Sequence, residues 1–229
     1  KESNLVPVLG SPFFTLIHGD VRDESLLDSI FAEHEIDTVV HLAARAGVTQ
    51  SIAQAHLYQD VNVRGTLTVL EACRRHHVRR FIFGSSSSVY GTSARTPFQE
   101  DQPIDWPASP YAASKAAAEH FCYSYSHLHQ LSTVVLRFFT VYGPRQRPDM
   151  AFHSFLRKVL EGETITLFAK GKAKRDYTFV DDVVDGILRA LDLECQYEVF
   201  NLGSSFVVDL KHALQILEAS LGRRARVRF

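Results

Sequence analysis

Tyr111 and Lys115, in Tyr111-Ala-Ala-Ser-Lys115, stand four residues apart and so share one face of a helix, one turn from each other. A phenol titrates near pH ~10 and is a poor base at neutral pH. A neighbouring ammonium favours the phenolate, which makes Tyr111 a candidate general base toward a hydroxyl. By itself such a pair is an ordinary feature of helix surfaces. Upstream, however, an apolar run ends in Gly84-Ser85-Ser86-Ser87-Ser88-Val89-Tyr90-Gly91. Serines at the carboxyl end of a buried parallel strand lie on the edge where open α/β sheets take their ligands. Hydroxyls there, with a Tyr–Lys helix immediately following, converge on one substrate hydroxyl. That chemistry is proton abstraction from an alcohol.

Such groups need a sheet to carry them, and the pattern supplies one. Phe14–His18, Thr38–Leu42, Arg80–Gly84 and Ser132–Phe139 read as strands, and Glu24–Glu33, Tyr58–His76 and Tyr111–His129 as helices. Strands that are apolar without alternation, each followed by a helix, predict a doubly wound α/β layer with a parallel sheet covered on both faces. After Pro144 the rhythm changes. Helices are expected over Ala151–Leu160, Asp181–Leu191 and Leu210–Leu221, and strands over Thr164–Phe168, Glu198–Leu202 and Ala225–Phe229. A basic polar loop, Lys170–Arg175, lies between the first pair. A soft boundary near Gly143 divides residues 1–143 from a smaller lobe, 144–229, with the chain crossing between them.

Composition excludes several classes of function. With 229 residues, 45% of them hydrophobic and 22% charged, the chain can bury a core, which excludes a disordered or fibrous protein. Lys+Arg 25 against Asp+Glu 26 gives no basic field for nucleic acid or an anionic membrane surface. No apolar run reaches the ~18–20 residues of a membrane helix. Cys73, Cys122 and Cys195 have neither metal nor disulfide spacing and are expected as free thiols in a reducing compartment. With no signal peptide ahead of Lys1, the expectation is a soluble, cytoplasmic protein with no metal.

A series of motifs runs along the chain: Gly19-Asp20-Val21-Arg22-Asp23, His41-Leu-Ala-Ala-Arg45, Asn62-Val-Arg-Gly-Thr66, Ser85-Ser86…Val89-Tyr90-Gly91, Pro110-Tyr111…Ser114-Lys115, Leu136-Arg-Phe-Phe-Thr140…Tyr142-Gly-Pro144 and Arg175-Asp-Tyr-Thr-Phe-Val-Asp-Asp182. In this order and spacing the chain resembles the extended short-chain dehydrogenase/reductases, and within them the NAD-dependent nucleotide-sugar epimerases and dehydratases. The resemblance implies a Rossmann-like sheet, with 1–143 an incomplete NAD-binding domain and 144–229 part of a nucleotide-sugar lobe. It implies NAD as cofactor. Asp20 and Val21 would flank its adenine, and Leu42, Ala43, Ala44 and Arg45 would line it. Asn62, Tyr111 and Lys115 would complete the site, with Phe139 beside the nicotinamide. Ser86 would share the proton with Tyr111, which makes Ser86, Tyr111 and Lys115 the implied catalytic set.

The substrate is narrowed by Ala43-Ala-Arg-Ala-Gly-Val48 and Tyr142-Gly-Pro-Arg-Gln-Arg-Pro-Asp-Met-Ala151, which resemble UDP-glucuronate 4-epimerases. A uronate carboxylate calls for hydroxyl donors and a guanidinium, which Ser87, Ser88, Thr140 and Arg147 could supply. Arg175 would hold the UDP phosphates. The implied reaction removes the proton of the sugar 4-hydroxyl at Tyr111 and passes through a transient 4-keto sugar. A dehydratase would carry an acid–base pair where Ser87-Ser88 stands; a decarboxylase, a UDP-glucose epimerase and a non-catalytic remnant stay open. Thr49-Gln50 and Ala169-Lys170-Gly171 depart from the family's usual Arg-Pro and Gly-Asp-Gly. No G-x-x-G-x-x-G or G-x-G-x-x-G occurs, so the pyrophosphate-binding turn is absent from the sequence and NAD binding is expected to be poor. The strand that turn would follow, expected between Phe14–His18 and Thr38–Leu42, is missing with it, which predicts exposed apolar edges. The resemblance further implies a homodimer built through the Tyr–Lys helix.

Overall fold

A computed structural model describes residues 2–92, 95–167, 171 and 173–228. Asp23 accepts the Leu26 N–H at 3.0 Å and so caps α1 (Glu24–Glu33), which leads to β1 (Thr38–His41). Two short helices, α2 (Val48–Ala53) and α3 (Ala55–Tyr58), precede a π-helical turn, Gln59–Arg64, that runs on into α4 (Gly65–Arg75). β2 (Arg80–Ser86) ends in a 3₁₀ turn, Ser87–Tyr90. Ser109 caps α5 (Pro110–His129), with Pro110 in the first turn where its missing N–H costs nothing. Then come β3 (Ser132–Phe138), β4 (Thr140–Tyr142), α6 (Ala151–Glu161), β5 (Thr164–Thr166), β6 (Lys174–Phe179), α7 (Val180–Asp192), β7 (Tyr197–Leu202), β8 (Val207–Asp209), α8 (Leu210–Leu221) and β9 (Arg226–Arg228).

The chain divides into two compact units, Lys1–Phe138 with Ile187–Asn201, and Phe139–Gly186 with Leu202–Phe229. The first crossing falls a few residues ahead of the boundary read at Gly143. In the first unit the sheet order is β1-β2-β3-β7, and β1, β2 and β3 run parallel, with Val39 opposite Phe81 and Val135 opposite Phe83. Phe81, Ile82, Phe83, Val134 and Val135 are fully buried, as strands covered on both faces require. Leu70, Ala72 and Cys73 of α4, Ala118 and Cys122 of α5, and Phe31 of α1 pack on one side of this sheet. Truncating such a core residue, Phe81 to Ala, costs about 3–5 kcal/mol. The second unit holds a sheet of order β4-β6-β8, parallel then antiparallel, and a parallel pair β5-β9. Its apolar cluster is Phe155, Val159, Ile165, Leu167 and Leu214.

Several expectations change. Phe14–His18 forms no strand; Leu16 and Ile17 are exposed, and β1 is the sheet's edge. Strand preference is realised only against a partner ladder, and no strand among the described residues pairs with this run. The helix expected over Tyr58–His76 is helical without a gap from Ala55 to Arg75, but it is not regular: a π-helical turn replaces α geometry at Gln59–Arg64. Within the basic loop expected at Lys170–Arg175, Lys174 and Arg175 open strand β6, paired through Thr140–Tyr142 on one side and Val207–Asp209 on the other. Phe168, Ala169, Lys170, Lys172 and Phe229 lie outside the described residues.

Candidate active site

In the first unit the site is assembled at the carboxyl ends of β1 and β2. Gly84 is closely packed there: a Cβ would lie 2.7 Å from Leu42 Cδ2 and 3.0 Å from Phe138 Cε2, so both side chains would have to shift. Its carbonyl accepts a 2.7 Å hydrogen bond from Lys115 Nζ, which also sits 4.6 Å from the centre of the Phe83 ring. Lys115 is buried, and burial brings its ammonium down to about 8, while Cys122 and Glu119 pull in the opposite direction. One turn earlier, half-buried Tyr111 meets Tyr58 edge to face at 6.2 Å. At the strand end, Ser86 Oγ donates to Ser88 Oγ at 3.1 Å and accepts the Ser88 N–H at 3.2 Å. Ser87 and Ser88 are half-buried on the 3₁₀ turn that Ser86 caps.

Asn62 is placed by the π-helical turn, in which the Gly65 N–H reaches back to the Asp60 carbonyl. Its buried amide is fully engaged. Oδ1 accepts the Arg45 N–H at 2.7 Å, and Nδ2 donates to the Arg45 carbonyl at 3.0 Å and to Ser114 Oγ at 2.9 Å. Asn62 therefore acts by clamping the segment Leu42-Ala43-Ala44-Arg45, of which Leu42, Ala43 and Arg45 are exposed. Thr66 Oγ1 donates to the Asn62 carbonyl at 2.6 Å, so the 3.0 Å contact from His41 Nε2 must carry its hydrogen on the imidazole. Burial, with Lys115 nearby, holds His41 at about 3, neutral. Asp20 is gripped by Arg22 through Nε at 2.9 Å and Nη2 at 2.6 Å, and Arg22 Nη1 continues to Asp60 at 2.5 Å. Arg22's side-chain and backbone hydrogen bonds hold that carboxyl down to about 2. Val21 packs on the core beside Gly65.

In the second unit, Thr140 and Arg175 line one cavity of about 260 Å³, together with Gln146, Phe152, Tyr177 and Leu210. Arg147 is exposed and paired with Asp149 at 2.6 Å. The Phe139 N–H donates to the Leu202 carbonyl at 3.2 Å. Among the described residues no group of three or more His, Cys, Asp and Glu could hold a metal ion, and no helix is long and apolar enough to cross a membrane.

The donor set of the first unit suits the nicotinamide half of a dinucleotide. The bond to Gly84 uses one of the three ammonium donors of Lys115, and the Asn62 clamp leaves a short, exposed, apolar strand end beside it. Residues 1–203 match the profile of the NAD dependent epimerase/dehydratase family. The chain belongs to that family. Members are NAD-dependent, and neighbours are solved with NAD bound. A UDP-glucuronate 4-epimerase of Thermodesulfobacterium geofontis is 39% identical over 208 residues, 90% of this chain and 64% of that one. The structure of UDP-glucuronic acid 4-epimerase from Bacillus cereus with UDP-glucuronic acid and NAD superposes with a TM-score of 0.91 at 35% identity, over 99% of this chain and 72% of the other. The dTDP-glucose 4,6-dehydratase of Streptomyces venezuelae, with NAD and TYD bound, gives 0.94 at 32% identity over 100% and 70%. The chain spans between 52% and 73% of the length of these curated relatives.

Sequence reading passed over Glu119, which joins Arg137 and Tyr90, both within the motifs given above, in one buried hydrogen-bonded group behind the serines. A signal was present. Glu119 continues the stripe Tyr111, Lys115 at the same helical spacing.

Proposed function

We propose that this chain carries the catalytic machinery of an NAD-dependent nucleotide-sugar 4-epimerase acting on UDP-glucuronate. The observation that carries the reading is the turn after β2. It presents Ser87 and Ser88, hydroxyls alone, where a dehydratase needs an acid–base pair to expel water, and hydroxyls suit a carboxylate-bearing sugar. Similarity to UDP-glucuronate 4-epimerases supports the same choice.

Bound NAD supplies the acceptor, and afterwards the donor, of the hydride at the sugar's C4. Everything else falls to the chain. Lys115, fixed by Gly84, favours the phenolate of Tyr111 and offers its remaining donors to a ribose diol. Tyr111 removes the 4-hydroxyl proton and returns it, with Ser86 as the neighbouring hydroxyl that shares it. Asn62 holds Leu42–Arg45 against the cofactor, with Asp20 and Val21 at the adenine and Phe139 at the nicotinamide. Ser87, Ser88, Thr140 and Arg147 take the sugar and its carboxylate, and Arg175 the phosphates. On this reading 1–143 forms the cofactor side and 144–229 the nucleotide-sugar side.

The test is incubation of the protein with NAD and UDP-glucuronate, followed by proton NMR of the sugar ring. Appearance of UDP-galacturonate, with no net NADH, is the expected result. Loss of carbon dioxide, or turnover of UDP-glucose with UDP-glucuronate untouched, would overturn it.

A further inference from the structure

We propose that Glu119 is a positioning residue of this site: its enclosed carboxylate, one helical turn from Lys115, ties helix α5, which bears Tyr111 and Lys115, to the serine-bearing end of β2. The inference rests on the role given above to Lys115 and Ser86.

Glu119 lies one turn beyond Lys115 and is buried. Ser85 Oγ donates to its Oε1 at 2.5 Å, Arg137 Nε at 3.2 Å, and Arg137 Nη2 reaches Oε2 at 2.8 Å. Both partners of this ion pair are enclosed, with side chains 5% and 3% exposed. Arg137 Nη1 goes on to Tyr90 Oη at 2.9 Å and to the Glu100 carbonyl at 3.1 Å, and the guanidinium lies 4.8 Å over the Tyr90 ring. Tyr90 in turn donates to Asn201 Oδ1 at 2.8 Å.

The consequence is topological. Between Gly84 and Tyr90 the backbone carries the carbonyl that holds Lys115, the Ser86 hydroxyl, and the turn with Ser87 and Ser88. It is pinned at Ser85 and at Tyr90 by one ion pair, and the carboxylate of that pair grows from the helix that carries Tyr111 and Lys115. A buried ion pair often contributes little to stability that apolar packing could not match, so specificity of placement is the function to seek. The electrostatics agree. The groups around Lys115 are Tyr111, Cys122 and Glu119 on its own helix, His41 from β1, and the Phe83 ring and Gly84 carbonyl from β2. His41 is neutral and Cys122 is held as a thiol by burial, which leaves Glu119 as the anion opposing desolvation of the ammonium.

The experiment is titration of Lys115 by NMR of the side-chain carbons in lysine-labelled protein without substrate, assigned with Lys115→Arg. Wild type is expected to titrate at about 8. Glu119→Gln keeps the shape and an acceptor for Ser85, and its Lys115 should titrate lower by about one pH unit or more. Glu119→Asp, which keeps the charge, should stay near wild type. If Glu119→Gln does not fold because Arg137 is left unpaired, Glu119→Gln/Arg137→Met carries the test. There Lys115 should still fall, by less, because the more distant repelling cation has gone too. A Lys115 titration unmoved in whichever of the two neutralising variants folds would overturn the proposal. Because no substrate is involved, a shifted Lys115 in a protein that does not turn over UDP-glucuronate would refute the epimerase reading and leave Glu119's role standing.

Discussion

Replacing Asn62 by Ala removes three hydrogen bonds at once, of 2.7, 3.0 and 2.9 Å, from a side chain that is 1% exposed. Each such bond contributes about 1 kcal/mol net, so about 3 kcal/mol is expected. For a chain of this size 1 kcal/mol moves the melting temperature by about 2–4 °C, which gives a fall of roughly 6–12 °C. Asn62→Asp should be worse than Ala. It keeps the acceptor for Arg45 N–H but sets an anion against the Arg45 carbonyl and Ser114 Oγ, in a place too enclosed to hydrate it. Calorimetry measures the first quantity. Hydrogen exchange at the Arg45 amide measures the second, since that N–H loses its acceptor and should exchange at least about tenfold faster. A melting point within about 2 °C of wild type, with Arg45 protected as before, would show that the segment 42–45 is held by something other than Asn62.

Tyr111→Phe should lower turnover by at least about 10²-fold, the scale of a lost general base, with NAD affinity unchanged; near-normal turnover would remove Tyr111 from the reaction. Arg147→Ala should weaken UDP-glucuronate more than UDP-glucose, by roughly 1.5–3 kcal/mol in the difference, since only the uronate loses a charge-assisted bond. Equal losses for the two sugars, measured by calorimetric titration, would mean that Arg147 serves the UDP or the fold instead. His41 is neutral in the folded protein down to about 3, whereas in the unfolded chain it takes a proton near its ordinary value of 6.5. Below that value the unfolded state binds the extra proton, so stability declines as pH falls from 6.5 toward 3, by up to about 1.4 kcal/mol per pH unit. His41→Gln should flatten that portion of a urea-stability profile, and an identical slope in both proteins would show that other groups dominate it.

Much of the fold was legible because local and tertiary signals coincide. Asp23 and Asp209 cap α1 and α8, and both helices span the residues their apolar spacing indicates. β2 and β3 carry apolar centres without alternation, Phe81–Phe83 and Val134–Leu136, all of them buried, as strands covered on both faces do. What was missed depends on partners distant in sequence. Lys174-Arg175-Asp176 has the composition of a solvated loop and becomes a strand only because Val207–Asp209 pairs with it. Phe14–His18 has strand composition and lacks a ladder. The π-helical turn before α4 has neither Gly nor Pro within 59–64 to announce it. In the candidate site, the Tyr–Lys spacing and the serines could be read directly, whereas the use of Asn62 could not. A side chain that clamps backbone and one that meets a ligand look alike in sequence.

The π-helical turn at Gln59–Arg64 means that one more residue is accommodated there than a regular helix would hold. Each residue of an α-helix advances its side chain by about 100°, since ~3.6 residues complete a turn. The extra residue therefore sets the angular phase of Asn62 independently of the phase in which Val69, Leu70 and Cys73 enter the core. Deleting one residue from this stretch would let the helix regularise: the flanking segments would keep their phase, because the wide turn takes up the extra residue without added rotation, and the residues inside the turn, Asn62 among them, would be re-aimed. The seam separates two design problems: packing the interior and aiming the clamp can drift apart through substitution on either side, and only a change of length couples them again.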